Sequence, residues 1–128
     1  MTLKKGDLYC TVLNTGQVMY MPYDGGEWDR RSIAFGNVSQ DREYMEQHAR
    51  DLKLYNLLSN FAHQVNEGWK ADMSNEKWYI WYGDGWRVDF VTNTFHLNEV
   101  YFCSESAARQ AIDEVIIPFM QEEVNDEE

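Results

Sequence analysis

Twice along this chain, strand-forming residues run up to a glycine-bearing turn and resume on its far side. The first run is Tyr9-Cys10-Thr11-Val12-Leu13-Asn14-Thr15-Gly16-Gln17-Val18-Met19-Tyr20. The second is Trp78-Tyr79-Ile80-Trp81-Tyr82-Gly83-Asp84-Gly85-Trp86-Arg87-Val88-Asp89. Each is the pattern of a β-hairpin. A short third apolar run follows each, Ile33-Ala34-Phe35 and Val100-Tyr101-Phe102, predicting third strands over 31–35 and 99–103. Helical spacing then begins in both halves, with Met45, His48, Ala49 and Leu52 matching Ala108, Ala111, Ile112 and Val115. The pattern predicts an α+β fold made of two β-β-β-α pseudo-repeats, 7–66 and 76–117. Antiparallel sheets pack with one long central helix and a C-terminal helix.

The long helix is expected to start at Asp41, an N-cap residue type followed by Glu43 in the first turn, and to stop at Gly68. Met45, Ala49, Leu52, Tyr55, Leu58, Ala62 and Val65 mark its apolar stripe, long enough to link the two halves and pack on both sheets. In the second hairpin, alternation puts Trp78, Ile80 and Tyr82 on one face and Tyr79 and Trp81 on the other. Across the turn, Trp86, Val88 and Phe90 share a face, and Arg87 and Asp89 point away from it. Ser104 is the expected cap of the last helix, and Pro118 is expected to break or restart it, leaving Phe119 and Met120 as a final anchor. One domain, 1–120, would then give way to a tail, 121–128.

Composition narrows the class. The chain has 128 residues, 44% of them apolar and 15% aromatic, enough for one domain with a real core. No apolar run approaches the ~20 residues of a membrane span, and no apolar stretch follows Lys4 and Lys5, so no signal peptide is expected. Two cysteines inside strands, Cys10 and Cys103, suggest reduced, buried thiols and a cytoplasmic protein. The net charge is −11, and residues 104–128 hold most of it, with Arg109 the single base in that stretch. Such acidity disfavours direct contact with nucleic-acid phosphates, which are bound by Lys and Arg.

Candidate chemistry is sparse. His48, His63, His96 and the cysteines show no metal-ligand spacing, and His48 lies on the packed stripe. There is no nucleophile elbow or phosphate-binding loop, since Gly83-Asp84-Gly85 is short and sits in a hairpin. No catalytic residue, cofactor or metal site is therefore assigned. The aromatic run from Trp78 to Trp86 is denser than a core demands. Two-sided burial would explain it, and so would an exposed platform for a protein, a sugar or a base.

Several stretches together resemble small uncharacterised accessory proteins encoded by phages and prophages of Gram-positive bacteria. They are Lys5-Gly6-Asp7, the hairpin around Gly16, Gly36-Asn37-Val38 ahead of Asp41, Glu76 to Tyr82, and Val100 to Glu105 followed by Ala108 to Ile112. The motifs are structural, and this chain departs from the group at Pro118 and in its acidic end. The resemblance implies a stoichiometric inhibitor of host defence, of the anti-CRISPR or anti-restriction kind. The expected function is thus a non-enzymatic binder acting in the cytoplasm of a bacterial host. Its partner would be a host or phage protein with a basic surface, such as a defence nuclease or signalling protein. Trp28, Tyr79, Trp81 and Trp86 are the candidate contacts, with Glu122, Glu123, Asp126, Glu127 and Glu128 as electrostatic aids. No membrane contact is expected, and self-association stays open. The alternative is a nucleic-acid- or carbohydrate-binding module using the aromatic sheet as its platform.

Overall fold

Leu8–Val12 (β1) and Val18–Pro22 (β2) form the first hairpin, paired antiparallel from Leu8 opposite Pro22 to Val12 opposite Val18. The computed structural model describes residues 2–126. It is an α+β fold with two separate two-stranded antiparallel sheets. The chain divides into two compact units at Lys53 and Leu54, within the long helix α2 (Arg42–Val65).

In the first unit, the alternation of β1 sends Cys10 and Val12 to a face that packs with Val18 against Met45 and Ala49 of α2. Tyr9 and Thr11 point the other way and are buried too. The free edge of β1 is closed by single residues. Cys10 exchanges both backbone hydrogen bonds with Ser39, at 2.6 and 3.1 Å. The side-chain amide of Asn37 takes the Val12 N–H and donates to the Val12 carbonyl, at 3.2 and 2.8 Å. Sealing a strand edge in this way removes a template for unwanted pairing.

The third strand expected over 31–35 is instead a helix, α1 (Glu27–Phe35). Local helix signals outweigh three consecutive apolar residues. Glu27 pairs with Arg31 one turn on at 2.6 Å. Gly36, in the left-handed region, ends the helix with N–H bonds that satisfy its last carbonyls. Asp29 in the first turn is buried and accepts three hydrogen bonds. The Tyr9 hydroxyl donates to one oxygen, and the N–H groups of Asp24 and Gly25 donate to the other at 2.9 and 3.0 Å. Those donors hold the Asp29 carboxyl down to about 2, with the Tyr9 bond the largest cause. Burial, and then the same bond, push the Tyr9 hydroxyl up. Asp41 caps α2 as expected, accepting from the Tyr44 N–H at 3.1 Å.

The second unit repeats the hairpin. Lys77–Tyr82 (β3) pairs antiparallel with Trp86–Val91 (β4), from Lys77 opposite Val91 to Tyr82 opposite Trp86. Trp78, Ile80 and Val88 meet Leu58, Phe61, Ala62 and Val65 of α2 and the buried Ala107, Ala108 and Ala111 of α3 (Glu105–Ala111). Alanines at those positions let the helix come close to the sheet. Ser104 caps α3, accepting from the Ala107 N–H at 3.1 Å. Cys103 is only half-buried, unlike Cys10, and both thiols are free.

The strand expected over 99–103 shrinks to one bridge. Phe102 pairs with Trp78 through both backbone groups, at 2.8 and 3.0 Å. Extension on the far side is blocked by Asn66, whose amide donates to the Tyr101 carbonyl and accepts from the Cys103 N–H, both at 2.9 Å. Each predicted β-β-β-α order is therefore β-β plus a single bridging residue, with an extra helix in the first half.

Pro118 neither breaks nor restarts the last helix. Ile112–Ile116 widens into a π-helical turn, and α4 (Ile117–Asp126) continues from it. Proline lacks an N–H and its ring collides with the carbonyl four residues back, here that of Glu114. A local π turn relieves both problems without ending the helix. Phe119 is the buried anchor, whereas Met120 is 40% exposed. The 120/121 boundary expected between domain and tail falls inside α4.

Candidate functional site

The tip of the second hairpin carries three aromatic rings around a three-residue turn. Trp81 and Tyr82 end β3 at 45% and 64% exposure, and Trp86 opens β4 half-buried. Strand alternation separates them. Tyr82 and Trp86 are cross-strand partners on one face, in edge-to-face contact with centroids 4.9 Å apart. Trp81 lies on the other face opposite Arg87.

The Trp81 ring has a defined seat. It lies over Gly83 so closely that a Cβ there would stand 2.7 Å from Cζ3 and 3.4 Å from Cη2. Gly83 is required for this approach, since any larger residue displaces the ring. A half-exposed aromatic ring packed over its own turn offers a large contact area with few side-chain rotors to order on binding.

Behind Trp81 the same face is closed by the loop after β4. Tyr79 meets His96 edge-on at 4.6 Å, and His96 Nδ1 lies 3.3 Å from Glu99 Oε1. The backbone N–H of His96 donates to the Tyr101 hydroxyl at 2.5 Å. Burial raises the Tyr79 hydroxyl, and the nearby Asp89 and Glu99 carboxylates add to the effect. The His96 ring thus packs between those of Tyr79 and Tyr101. Lys77 sits beneath this region, fully buried, its ammonium donating to the carbonyls of Asp72, Asn75 and Thr92 and lying 4.9 Å from the Phe95 ring centre. The turn that presents two of those carbonyls is built by Asp72, which accepts from the Ser74 and Asn75 N–H groups at 2.8 Å. These donors lower the Asp72 carboxyl. Lys77 fills its loop as an internal cation.

On the opposite face, Trp86 joins Ile117, Met120, Gln121 and Val124 in lining a shallow groove beside α4. Ile117, Met120 and Val124 are spaced i, i+3 and i+7, one helical face, and all three are exposed. The structure therefore splits the candidate contacts. Tyr79 and Trp81 share one face, with Tyr79 largely covered, while Trp86 belongs to the groove. Trp28 lies in the first unit on α1, 48% exposed. Glu122 and Glu123 lie on α4, and each interacts with other groups of the chain. Asp126 ends α4, and Glu127 and Glu128 lie outside the described residues.

Sequence reasoning missed Tyr82, Gly83 and the apolar face of α4. Gly83 was legible in principle, as a second turn glycine two residues after a tryptophan. The α4 face was hidden by the expected break or restart at Pro118 and the tail expected from 121. Among the described residues, no group of three or more His, Cys, Asp or Glu could hold a metal ion, and no helix is long and apolar enough to cross a membrane. Comparison with protein-family models, with curated proteins and with solved structures finds no match.

Proposed function

We propose that this protein is a non-enzymatic binder of another protein, and that the tip of its second hairpin is the principal contact. The observation that carries the reading is the Trp81–Gly83 seat, a half-exposed tryptophan packed over the glycine of its own turn. Aromatic anchors of this kind dominate protein interfaces, and fixing them in advance lowers the entropy lost on association. Tyr82 and Trp86 extend the apolar surface, and the acidic α4 favours a partner with a basic rim. Resemblance to phage accessory proteins makes a bacterial defence protein, met in the host cytoplasm, the proposed target.

The test is affinity capture from phage-infected host cells with the wild type and Trp81→Ala side by side. One protein retained by the wild type and released faster from the variant supports the reading. Equal retention by both contradicts it. A saturable change in tryptophan fluorescence with oligosaccharides or single-stranded oligonucleotides would promote the alternative module instead.

We also propose that the two halves are copies of one hairpin–bridge–helix motif. In each, the first strand of the hairpin bridges to a residue two positions before a helix cap. Cys10 meets Ser39 ahead of Asp41, and Trp78 meets Phe102 ahead of Ser104. The asparagines beside the bridges are not equivalent, since Asn37 bonds Val12 of the hairpin strand whereas Asn66, just past α2, bonds the residues flanking Phe102. The shared two-residue offset from bridge to cap supports the repeat.

A further inference from the structure

We infer that two copies of this chain pair antiparallel through the free edge of β4, joining their second hairpins into one four-stranded sheet. The inference goes beyond the binding role proposed above and does not depend on it. The other three strand edges each carry a closing device. β1 is covered by Ser39 and Asn37, and β3 is bridged at Trp78 by Phe102. β2 ends in Pro22, which has no N–H, and Arg42 donates to its Val18 carbonyl at 3.5 Å. Among the described residues, no other element closes β4. Trp78 turns its backbone groups to Phe102, so its cross-strand partner Phe90, and with it Val88 and Trp86, point theirs away from β3. The hydrogen bond made by these outward groups is local, from the Phe90 N–H to Asp89 Oδ1 at 2.8 Å.

The residues of the strand select a second copy as the occupant. Centred on Val88, antiparallel pairing sets Val88 against Val88, Trp86 against Phe90 and Arg87 against Asp89 of the other copy. Each outward N–H then meets an outward carbonyl, and each side-chain pair is apolar or opposite in charge. Arg87 and Asp89 are exposed, and Arg87 has no ion-pair partner among the described residues. On pairing, Asp89 exchanges the Phe90 N–H for that guanidinium, and the N–H passes to the facing Trp86 carbonyl. Charge also fixes the register. A centre at Arg87 would set arginine against arginine, and a centre at Asp89 aspartate against aspartate, both unfavourable. The edge is self-complementary in one register, as an isologous two-fold interface requires. Because Trp81 shares the face of Arg87, the joined sheet carries both Trp81 rings on one side.

Sedimentation equilibrium from micromolar to near-millimolar concentration should find the wild type moving towards twice the mass of one chain. Arg87→Asp and Asp89→Arg each set like charges against each other at both symmetry-related pairs. Each should weaken self-association by about tenfold or more. Asp89→Arg also reduces the net negative charge, so an association governed by overall charge would tighten instead. Mixing the two variants should restore a dimer, now a heterodimer, because each aspartate then faces an arginine. The swap Arg87→Asp/Asp89→Arg within one chain should restore it too.

A wild type that stays at the mass of one chain overturns the inference, as does a dimer indifferent to both charge reversals. So does loss in both single variants, their near-ultraviolet circular dichroism unchanged, with no regain in the mixture or the swap. Amide exchange of the wild type gives a readout that needs no substitution. The outward Val88 N–H has no acceptor within one copy and a carbonyl in the pair, so its exchange should slow as protein concentration rises. Exchange at Val88 that is independent of concentration contradicts the pairing.

Discussion

Gly83→Ala tests whether Trp81 is seated or merely nearby. The added methyl would lie 2.7 Å from Trp81 Cζ3, where carbon atoms ordinarily rest about 3.5–4.0 Å apart, so the ring must retreat by about 1 Å. Cζ3 is the far end of a half-exposed ring that can swing outward, so the cost sits at the low end of overpacking, about 1 kcal/mol. Gly83 is not among the left-handed glycines, so alanine suits its backbone and stabilises by about 0.4–1 kcal/mol through the unfolded chain. With Trp81 present the two effects oppose and nearly cancel. In a Trp81→Ala background only the gain remains. The double-mutant cycle should therefore return a coupling of about 1 kcal/mol. Urea unfolding of the four proteins measures it, through shifts in midpoint at constant slope. Equal midpoint shifts in both backgrounds would refute the seat. Partner affinity should fall in Gly83→Ala even though every tip aromatic is still present.

Lys77→Met should cost about 3 kcal/mol or more in urea unfolding, because three buried carbonyls lose their donor at once. Lys77→Arg should fail to rescue it, since a planar fork cannot replace a compact ammonium. Tyr9→Phe should cost about 1.5–3 kcal/mol at neutral pH, the range for a hydrogen bond to a charged group. Asp29 has a folded value of about 2 against an ordinary 3.8, so its stabilisation is complete above about pH 4 and lost as pH falls through about 2. Asp29→Asn should flatten that acid limb in unfolding curves taken from about pH 5 downward. Asn66→Ala should cost about 1–3 kcal/mol of stability in urea unfolding and speed amide exchange at Cys103, whose N–H loses its acceptor.

Both hairpins were legible because alternation and turn glycines are local signals, and the register confirms the faces assigned to Trp78 through Tyr82 and Trp86 through Phe90. The caps at Asp41 and Ser104 were legible for the same reason. The third strands were misread because Ile33 to Phe35 and Val100 to Phe102 are apolar runs too short to declare a period. Helix-forming neighbours decided the first, and the distant Asn66 amide decided the second. Pro118 misled because a π turn is a tertiary accommodation with no composition of its own. Of the site, the surplus of aromatics was visible in sequence. Their division between two faces follows from alternation, but the ring of Trp81 resting on Gly83 is a rotamer fact that only coordinates carry.

The most direct test of a binding tip places a photo-crosslinking benzoylphenylalanine at Tyr82, with a second protein carrying it at Tyr55 as an exposed control. Both are expressed in infected host cells and irradiated. The account predicts one discrete adduct from position 82, absent from position 55 and weakened when Gly83→Ala is added. An adduct at 55 but not at 82, or one at 82 indifferent to Gly83→Ala, would contradict it.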